Sequence, residues 1–264
     1  MFRLRVSAAS LVAMSARLVF ALPLAAVLVG CGATAHDAVS QRPPADTPAL
    51  RCKSGAAPVG SSRVTVAAVV RSNAVAYRRP GTRPFAHFGR LNVNRFPNVF
   101  RVVSVLRGSD CRARWYRVQL PIKPNGVTGY VRAAAVDTGR VRSRVLVDLS
   151  ARRLTLFRNG SRVLGTAVAV GSPATPTPTG RYYVNQRLIP ADASGPFGPA
   201  AIGISAYSTV LTGWTQGGPI AIHGTNEPWS IGRAVSNGCI RVRNGVLRRL
   251  FKGTPAGTPV LIRR

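Results

Sequence analysis

The chain has 264 residues, 46% hydrophobic and 17% charged, with 26 glycines and 20 prolines: a globular, turn-rich composition that excludes a disordered charged tail. Charge is lopsided, with 37 lysines and arginines (only Lys53, Lys123 and Lys252 are lysines) against seven acids, for a net charge of +30. Six Asp and one Glu, scattered singly, argue against paired acid–base carboxylates or a carboxylate metal cage, so neither a metal nor a cofactor is expected.

The chain opens with Arg3, Arg5 and Arg17, followed by an apolar run of twelve residues, 18–29. A bilayer span needs about 20, so this pattern reads as an export signal. Leu28-Val29-Gly30-Cys31 looks like a bacterial lipobox, with Cys31 lipidated and the protein anchored to the membrane, facing the cell wall. Ala33-Thr34-Ala35 is the alternative, an ordinary cleavage site, and Met14 is an alternative start. Residues 1–30 are thus assigned to the signal. Residues 31–60, rich in Ala, Pro, Ser and Gly, are assigned to a flexible tether.

Short runs rich in β-branched and aromatic residues follow at 64–70, 99–106, 115–120 and 129–131, each bounded by Gly, Pro or Asn. The stretch Trp115-Tyr116-Arg117-Val118-Gln119-Leu120-Pro121, then Pro124-Asn125-Gly126 and Gly129-Tyr130-Val131, resembles bacterial SH3-like domains. A small SH3-like β domain is therefore expected over 61–137, with a domain split near 137–143.

The rhythm restarts at 144–149. Runs at 154–157 and 163–170 flank Asn159-Gly160, the strongest short hairpin signal. Residues 173–180 (PATPTPTG) cannot supply regular ladder donors and read as a loop. Strands are expected at 181–186, 201–205 and 220–223. A helix is expected from Asn244 as N-cap through Val246, Leu247, Leu250 and Phe251 to Gly253, and a last strand at 258–262.

Export makes the four cysteines interpretable. With Cys31 lipidated, Cys52 and Cys111 form the expected disulfide, and Cys239 is left over as a free thiol. It lies 16 residues after His223, in Ser236-Asn237-Gly238-Cys239-Ile240-Arg241. A thiol needs a base or a cationic neighbour to ionise near neutral pH, and an imidazole supplies both roles. Gly238 would clear space for a substrate carbonyl, and backbone amides around Cys239 would cradle an oxyanion. On residues alone, a buried structural Cys, a core His, or a disulfide from Cys239 to Cys52 or Cys111 are equally open.

The segment is similar to the signature of the L,D-transpeptidase catalytic domain, the cysteine transpeptidases of bacterial cell walls. His223-Gly224-Thr225 and the SNGCIR run at 236–241 carry the likeness. The Asn159-Gly160 hairpin, TPTG at 177–180, GPFGPAAIGISAYS at 195–208 and Gly257-Thr258-Pro259-Val260 support it. It covers 143–264, with Asn237 standing where many members have a second His. The resemblance implies a mainly β fold: a small SH3-like β-barrel, then a β-sandwich-like catalytic domain with one short C-terminal helix. It implies Cys239 as nucleophile and His223 as base, forming 3→3 crosslinks between peptidoglycan stem peptides through a thioester. Gly224, Thr225, Ser236, Asn237, Gly238 and Arg241 are the expected substrate contacts. Arg241 would either position a carboxylate or brace the Cys239 loop, and Ser236 would either reach substrate or shape the turn. No role is assigned to Glu227, which is expected in a solvated loop. The rivals are an L,D-carboxypeptidase and a non-catalytic wall-binding lipoprotein. The pI near 12.0 invites nucleic acid as a partner, but the arginines are spread along the chain and the export signal argues against it. A solvated arginine-rich surface is preferred, ahead of attraction to lipid headgroups or wall polymer. No oligomeric state is legible.

Overall fold

A computed structural model describes residues 55–264; the signal, the lipidation site at Cys31 and Cys52 lie outside the described residues. As expected, the fold is mainly β, with eighteen strands and one α-helix among the described residues.

The first eight strands form one antiparallel sheet: β1 (Gly55–Pro58), β2 (Thr65–Val70), β3 (Asn73–Tyr77), β4 (Pro84–Gly89), β5 (Val99–Arg107), β6 (Ala113–Gln119), β7 (Thr128–Arg132) and β8 (Val136–Val141). The order is β4-β3-β7-β6-β5-β2-β8, with β1 attached to β5. Alternation along the strands turns Ala68, Val70, Phe100, Val102, Val118 and Val131 into a shared core.

Two segments expected to be connections carry strands. The end of the expected tether, residues 55–58, is strand β1, paired with residues 104–107 of β5. β5 is nine residues long and β2 pairs only with its residues 99–101, so the rest offers open ladder groups that β1 takes up. The expected split near 137–143 is also a strand, since β8 pairs with all of β2. Its ends, Val136 and Val141, are buried while residues 137–140 are exposed, so it shows no alternating pattern of burial.

The second half supplies β9 (Ser143–Asp148), β10 (Arg153–Arg158), β11 (Ser161–Ala167), β12 (Val170–Gly171), β13 (Gly180–Leu188), β14 (Ala201–Tyr207), β15 (Pro219–His223), β16 (Ala234–Ser236), β17 (Ile240–Arg241), α1 (Asn244–Gly253) and β18 (Pro259–Arg263). Eight of the strands form a second sheet in the order β11-β10-β9-β18-β13-β14-β15-β17, and β12 pairs with β16. The hairpin at Asn159 and Gly160 appears as expected, with both residues at positive φ (52° and 90°). The expected single strand 163–170 breaks instead at Val168 and Ala169, both fully buried. There the chain leaves β10 for an isolated bridge from Ala169 to Arg241, so a continuous apolar run crosses between strands.

Helix α1 presents Leu247, Leu250 and Gly253 to the core. A Cβ at Gly253 would lie 2.6 Å from Leu156 Cδ2, so a side chain there would have to push Leu156 aside. At the helix C-terminus Arg187 donates to the Phe251 carbonyl at 2.7 Å, the end a cation favours. The expected N-cap role of Asn244 is not observed. Arg243 occupies that position without a side-chain hydrogen bond, and the Asn244 side chain is used elsewhere.

The described residues fall within one compact unit. The two sheets meet where Ala256 packs with Ala67, Val99 and Val141. Tyr207 also donates its hydroxyl to the Pro121 carbonyl at 2.6 Å and its backbone N–H to Asn125 Oδ1 at 2.8 Å.

Candidate active site

Register decides which side chains meet. β15 and β17 run parallel, with Ile222 opposite Ile240 and His223 opposite Arg241. Successive residues of a strand point to opposite faces. Ile220, Ile222, Ile240 and Val242 therefore share the core face, and all four are buried. His223 and Arg241 take the other face. Cys239, two residues before Arg241, joins them near the backbone amide of Ala221.

His223 is 4% exposed. Its Nδ1 lies 2.5 Å from the Gly224 carbonyl oxygen. A carbonyl only accepts, so Nδ1 is assigned the proton and Nε2 keeps its lone pair. The ring packs edge-on against Phe197, with centroids 5.0 Å apart. Burial lowers the imidazole pKa to about 4; the Gly224 hydrogen bond raises it and the Arg241 charge lowers it further. Cys239 is half-buried and is the free cysteine among the described residues. Burial pushes its thiol up, while the Ala221 amide and Arg241 pull it down. Cys111 is disulfide-bonded.

The turn before Cys239 is built from inside. Ser236, 1% exposed, donates to the Cys239 carbonyl at 2.5 Å and accepts from the Gly238 amide at 3.2 Å. Gly238 has φ +103°, and a Cβ there would lie 3.0 Å from Ile220 Cδ1, so the turn itself demands glycine. The 173–180 loop fastens the turn from the other side. Thr177 Oγ1 accepts from the Gly171 amide and donates to the Gly238 carbonyl, both at 2.8 Å. Thr175 Oγ1 donates to the Ser236 carbonyl at 2.9 Å. Thr177 and Gly171 also line an open cleft of about 640 Å³.

The six residues expected to touch substrate thus divide. Asn237 is exposed, whereas Gly224, Thr225, Ser236 and Gly238 are buried and hold the framework. Of the backbone amides around Cys239, that of Gly238 is spent on Ser236. Arg241 forms an ion pair with Glu227, so Glu227 is not the unengaged loop residue expected from the sequence. Asn244 is a second residue the sequence did not single out for the site: its Oδ1 accepts from the Thr225 amide at 2.8 Å. A Cβ at Gly224 would lie 2.2 Å from that oxygen, so any side chain there would displace the Asn244 amide. Phe197 was visible only as part of the GPFGP run, and nothing in its spacing marks it as a neighbour of His223. Among the described residues no group of three or more His, Cys, Asp or Glu gathers to hold a metal ion.

A β-sheet edge carrying a free thiol and a buried neutral imidazole, on a turn braced by hydroxyls, defines a thiol–imidazole site. Residues 142–262 match the family model of the L,D-transpeptidase catalytic domain, so the resemblance holds over the second half of the chain. The putative L,D-transpeptidase YkuD of Bacillus subtilis is 42% identical over 121 residues, 46% of this chain and 65% of that protein. The probable L,D-transpeptidase ErfK/SrfK of Escherichia coli is 39% identical over 94 residues, 33% of this chain and 26% of that protein. The NMR structure of the catalytic domain of the Enterococcus faecium L,D-transpeptidase shares 27% identity over 46% of this chain and 96% of that one, with a TM-score of 0.34. The chain therefore spans just under two thirds of the Bacillus relative and about a quarter of the Escherichia one.

Proposed function

We propose that this protein is a peptidoglycan L,D-transpeptidase, with Cys239 as nucleophile and His223 as general base. The observation that carries the reading is a half-buried free thiol that the strand register puts on the same sheet face as a buried imidazole whose Nδ1 is committed to the Gly224 carbonyl. Both groups are uncharged at neutral pH, since burial raises the thiol and lowers the imidazole. The thiol proton passes to Nε2 as sulfur attacks the amide carbonyl before the terminal D-Ala of a stem tetrapeptide. The C–N bond then breaks, His223 returns the proton to the departing amine, and a thioester remains on Cys239. The side-chain amine of a second stem attacks the thioester, giving a 3→3 crosslink and restoring the thiol. The backbone carbonyl at Gly224 orients the imidazole, a role that needs no Asp in so acid-poor a chain.

The SH3-like reading of the first sheet, the lipid anchor at Cys31 and the Cys52–Cys111 disulfide complete the proposal: a wall-facing, membrane-anchored protein with stem peptides as partners. Incubation with a disaccharide-tetrapeptide, followed by mass spectrometry, tests it. Crosslinked dimer with loss of D-Ala is expected, and Cys239→Ser should abolish it. Tripeptide as the sole product would replace the transpeptidase with a carboxypeptidase, and unchanged substrate would leave a non-catalytic wall-binding protein.

A further inference from the structure

The β15–β17 register puts Arg241 opposite His223 and on the face that carries Cys239, so its charge bears on both. Its influence on them is opposed. A cation there favours the thiolate but disfavours the imidazolium that forms when Nε2 takes the thiol proton. The guanidinium also sits on a long side chain that loses rotamer entropy when held in one place.

Glu227 is arranged to answer both problems. It is the sole glutamate of the chain, and its Oε2 pairs with Arg241 Nη1. The Arg241 side chain is 19% exposed and that of Glu227 44%. The segment carrying Glu227 is pinned at several points. Its backbone N–H donates to Thr225 Oγ1 at 2.9 Å, and its carbonyl accepts from Ser230 Oγ at 2.6 Å. Thr225 in turn is held by Asn244. The titratable and charged groups facing one another here are His223 on β15, Cys239 and Arg241 at β17, and Glu227 on the loop between β15 and β16.

We propose that Glu227 is a positioning residue: it holds the Arg241 guanidinium fixed beside Cys239 and His223 and offsets its charge, so that thiolate and imidazolium can form side by side. This rests on the assignment of Cys239 and His223 as nucleophile and base.

The test is the pH dependence of iodoacetamide alkylation of the full chain, read on the Cys239 peptide by mass spectrometry, with circular dichroism confirming the fold of each variant. Glu227→Gln keeps an acceptor for the guanidinium and removes the charge, so the alkylation midpoint should fall by roughly half a pH unit. Glu227→Ala also releases the guanidinium, so the midpoint should move the other way, toward that of Arg241→Gln. Glu227→Asp keeps the charge and should return the midpoint toward wild type. Equal downward shifts for Gln and Ala would show a charge effect without positioning, and unchanged midpoints in both folded variants would leave only a surface ion pair; either result overturns the proposal. Alkylation requires no crosslinking, so a wild-type protein that makes no crosslinks refutes the transpeptidase reading while leaving this measurement decisive for Glu227.

Discussion

Between β1–β8 and β9–β18 the sharpest difference is in what each region buries. Among the described residues the first holds two buried polar side chains, Asn98 and Gln119, and the second holds eleven. Several of the eleven are tied to the site: Thr177 and Ser236 shape the turn, while Thr225 and Ser230 anchor the loop that carries Glu227. Burying a hydroxyl costs free energy unless it is hydrogen-bonded, so a sheet built only to pack avoids it. In the second sheet that cost is offset, since these hydroxyls are hydrogen-bonded to the backbone of the Cys239 turn and of the Glu227 loop. The contrast sets a sheet that packs apolar side chains against one that also fixes a turn and a loop through buried hydroxyls.

The comparison breaks most visibly at His223. Replacing it by Ala should lower thioester formation by about 100- to 10,000-fold, the usual worth of general acid–base assistance. Partial recovery should come only in alkaline solution, because burial holds the Cys239 thiol above its ordinary value of 9.0. Single-turnover acylation across pH measures this. A variant acylating at the wild-type rate at neutral pH would make His223 structural and erase the functional half of the contrast.

The next effect belongs to the first sheet. Phe100 is fully buried and meets Phe88 edge-on, with centroids 4.9 Å apart. Phe100→Ala should cost about 3–5 kcal/mol in stability by urea unfolding. The alkylation rate of Cys239 in the folded fraction should stay at the wild-type value. A changed rate would mean that the packing of Ala256 on Ala67 couples the two sheets more tightly than their separate cores suggest.

Legibility in the sequence follows the same division. Long apolar or alternating runs announced β2, β5, β10 and β15, because burial on one or both faces leaves a pattern. β16 and β17 are three and two residues long and carry no such pattern. β16 exists because β12 supplies its partner, and β17 because β15 pairs with it on one side and Ala169 bridges it on the other, tertiary causes that no local window contains. In the site, Cys239 and His223 stand out by residue type and context. Thr177, Asn244 and Glu227 do not, since each acts through a partner 14 to 61 positions away. Even Gly238, expected to make room for substrate, is fixed by its own positive φ.

Acid stability sharpens the contrast further. The His223 pKa is lowered to about 4 from its ordinary 6.5, so the unfolded chain binds this proton first as pH falls. Stability should therefore be lost between those two values, by up to about 3 kcal/mol. Asp148 and Asp192, held below their ordinary 3.8 by hydrogen bonds, lose their contribution only at still lower pH. His223→Gln should flatten the first limb alone. If wild type and variant unfold with the same profile between pH 6.5 and 4, the imidazole is not held neutral by the fold.

The smallest effect comes from making one substitution in both regions. Thr177 is 5% exposed, and its hydroxyl satisfies the Gly171 amide and the Gly238 carbonyl at once. Thr177→Val keeps the shape and leaves both partners without that bond inside the protein, a loss of about 1–3 kcal/mol. Because the Gly238 carbonyl belongs to the turn that presents the nucleophile, acylation should fall with it, by about tenfold for a displacement well under an ångström. Thr82 makes a comparable bond to the Arg79 carbonyl at 2.7 Å, but on the exposed surface beside the first sheet. There water replaces the lost hydroxyl, and Thr82→Val should change stability by no more than about 0.5 kcal/mol and leave acylation untouched. Paired urea titrations and acylation rates on the two variants decide the matter. If Thr177→Val proves as silent as Thr82→Val, the buried hydroxyls of the second sheet do not hold the Cys239 turn, and its position must come from the Ile220–Ile240 core face alone.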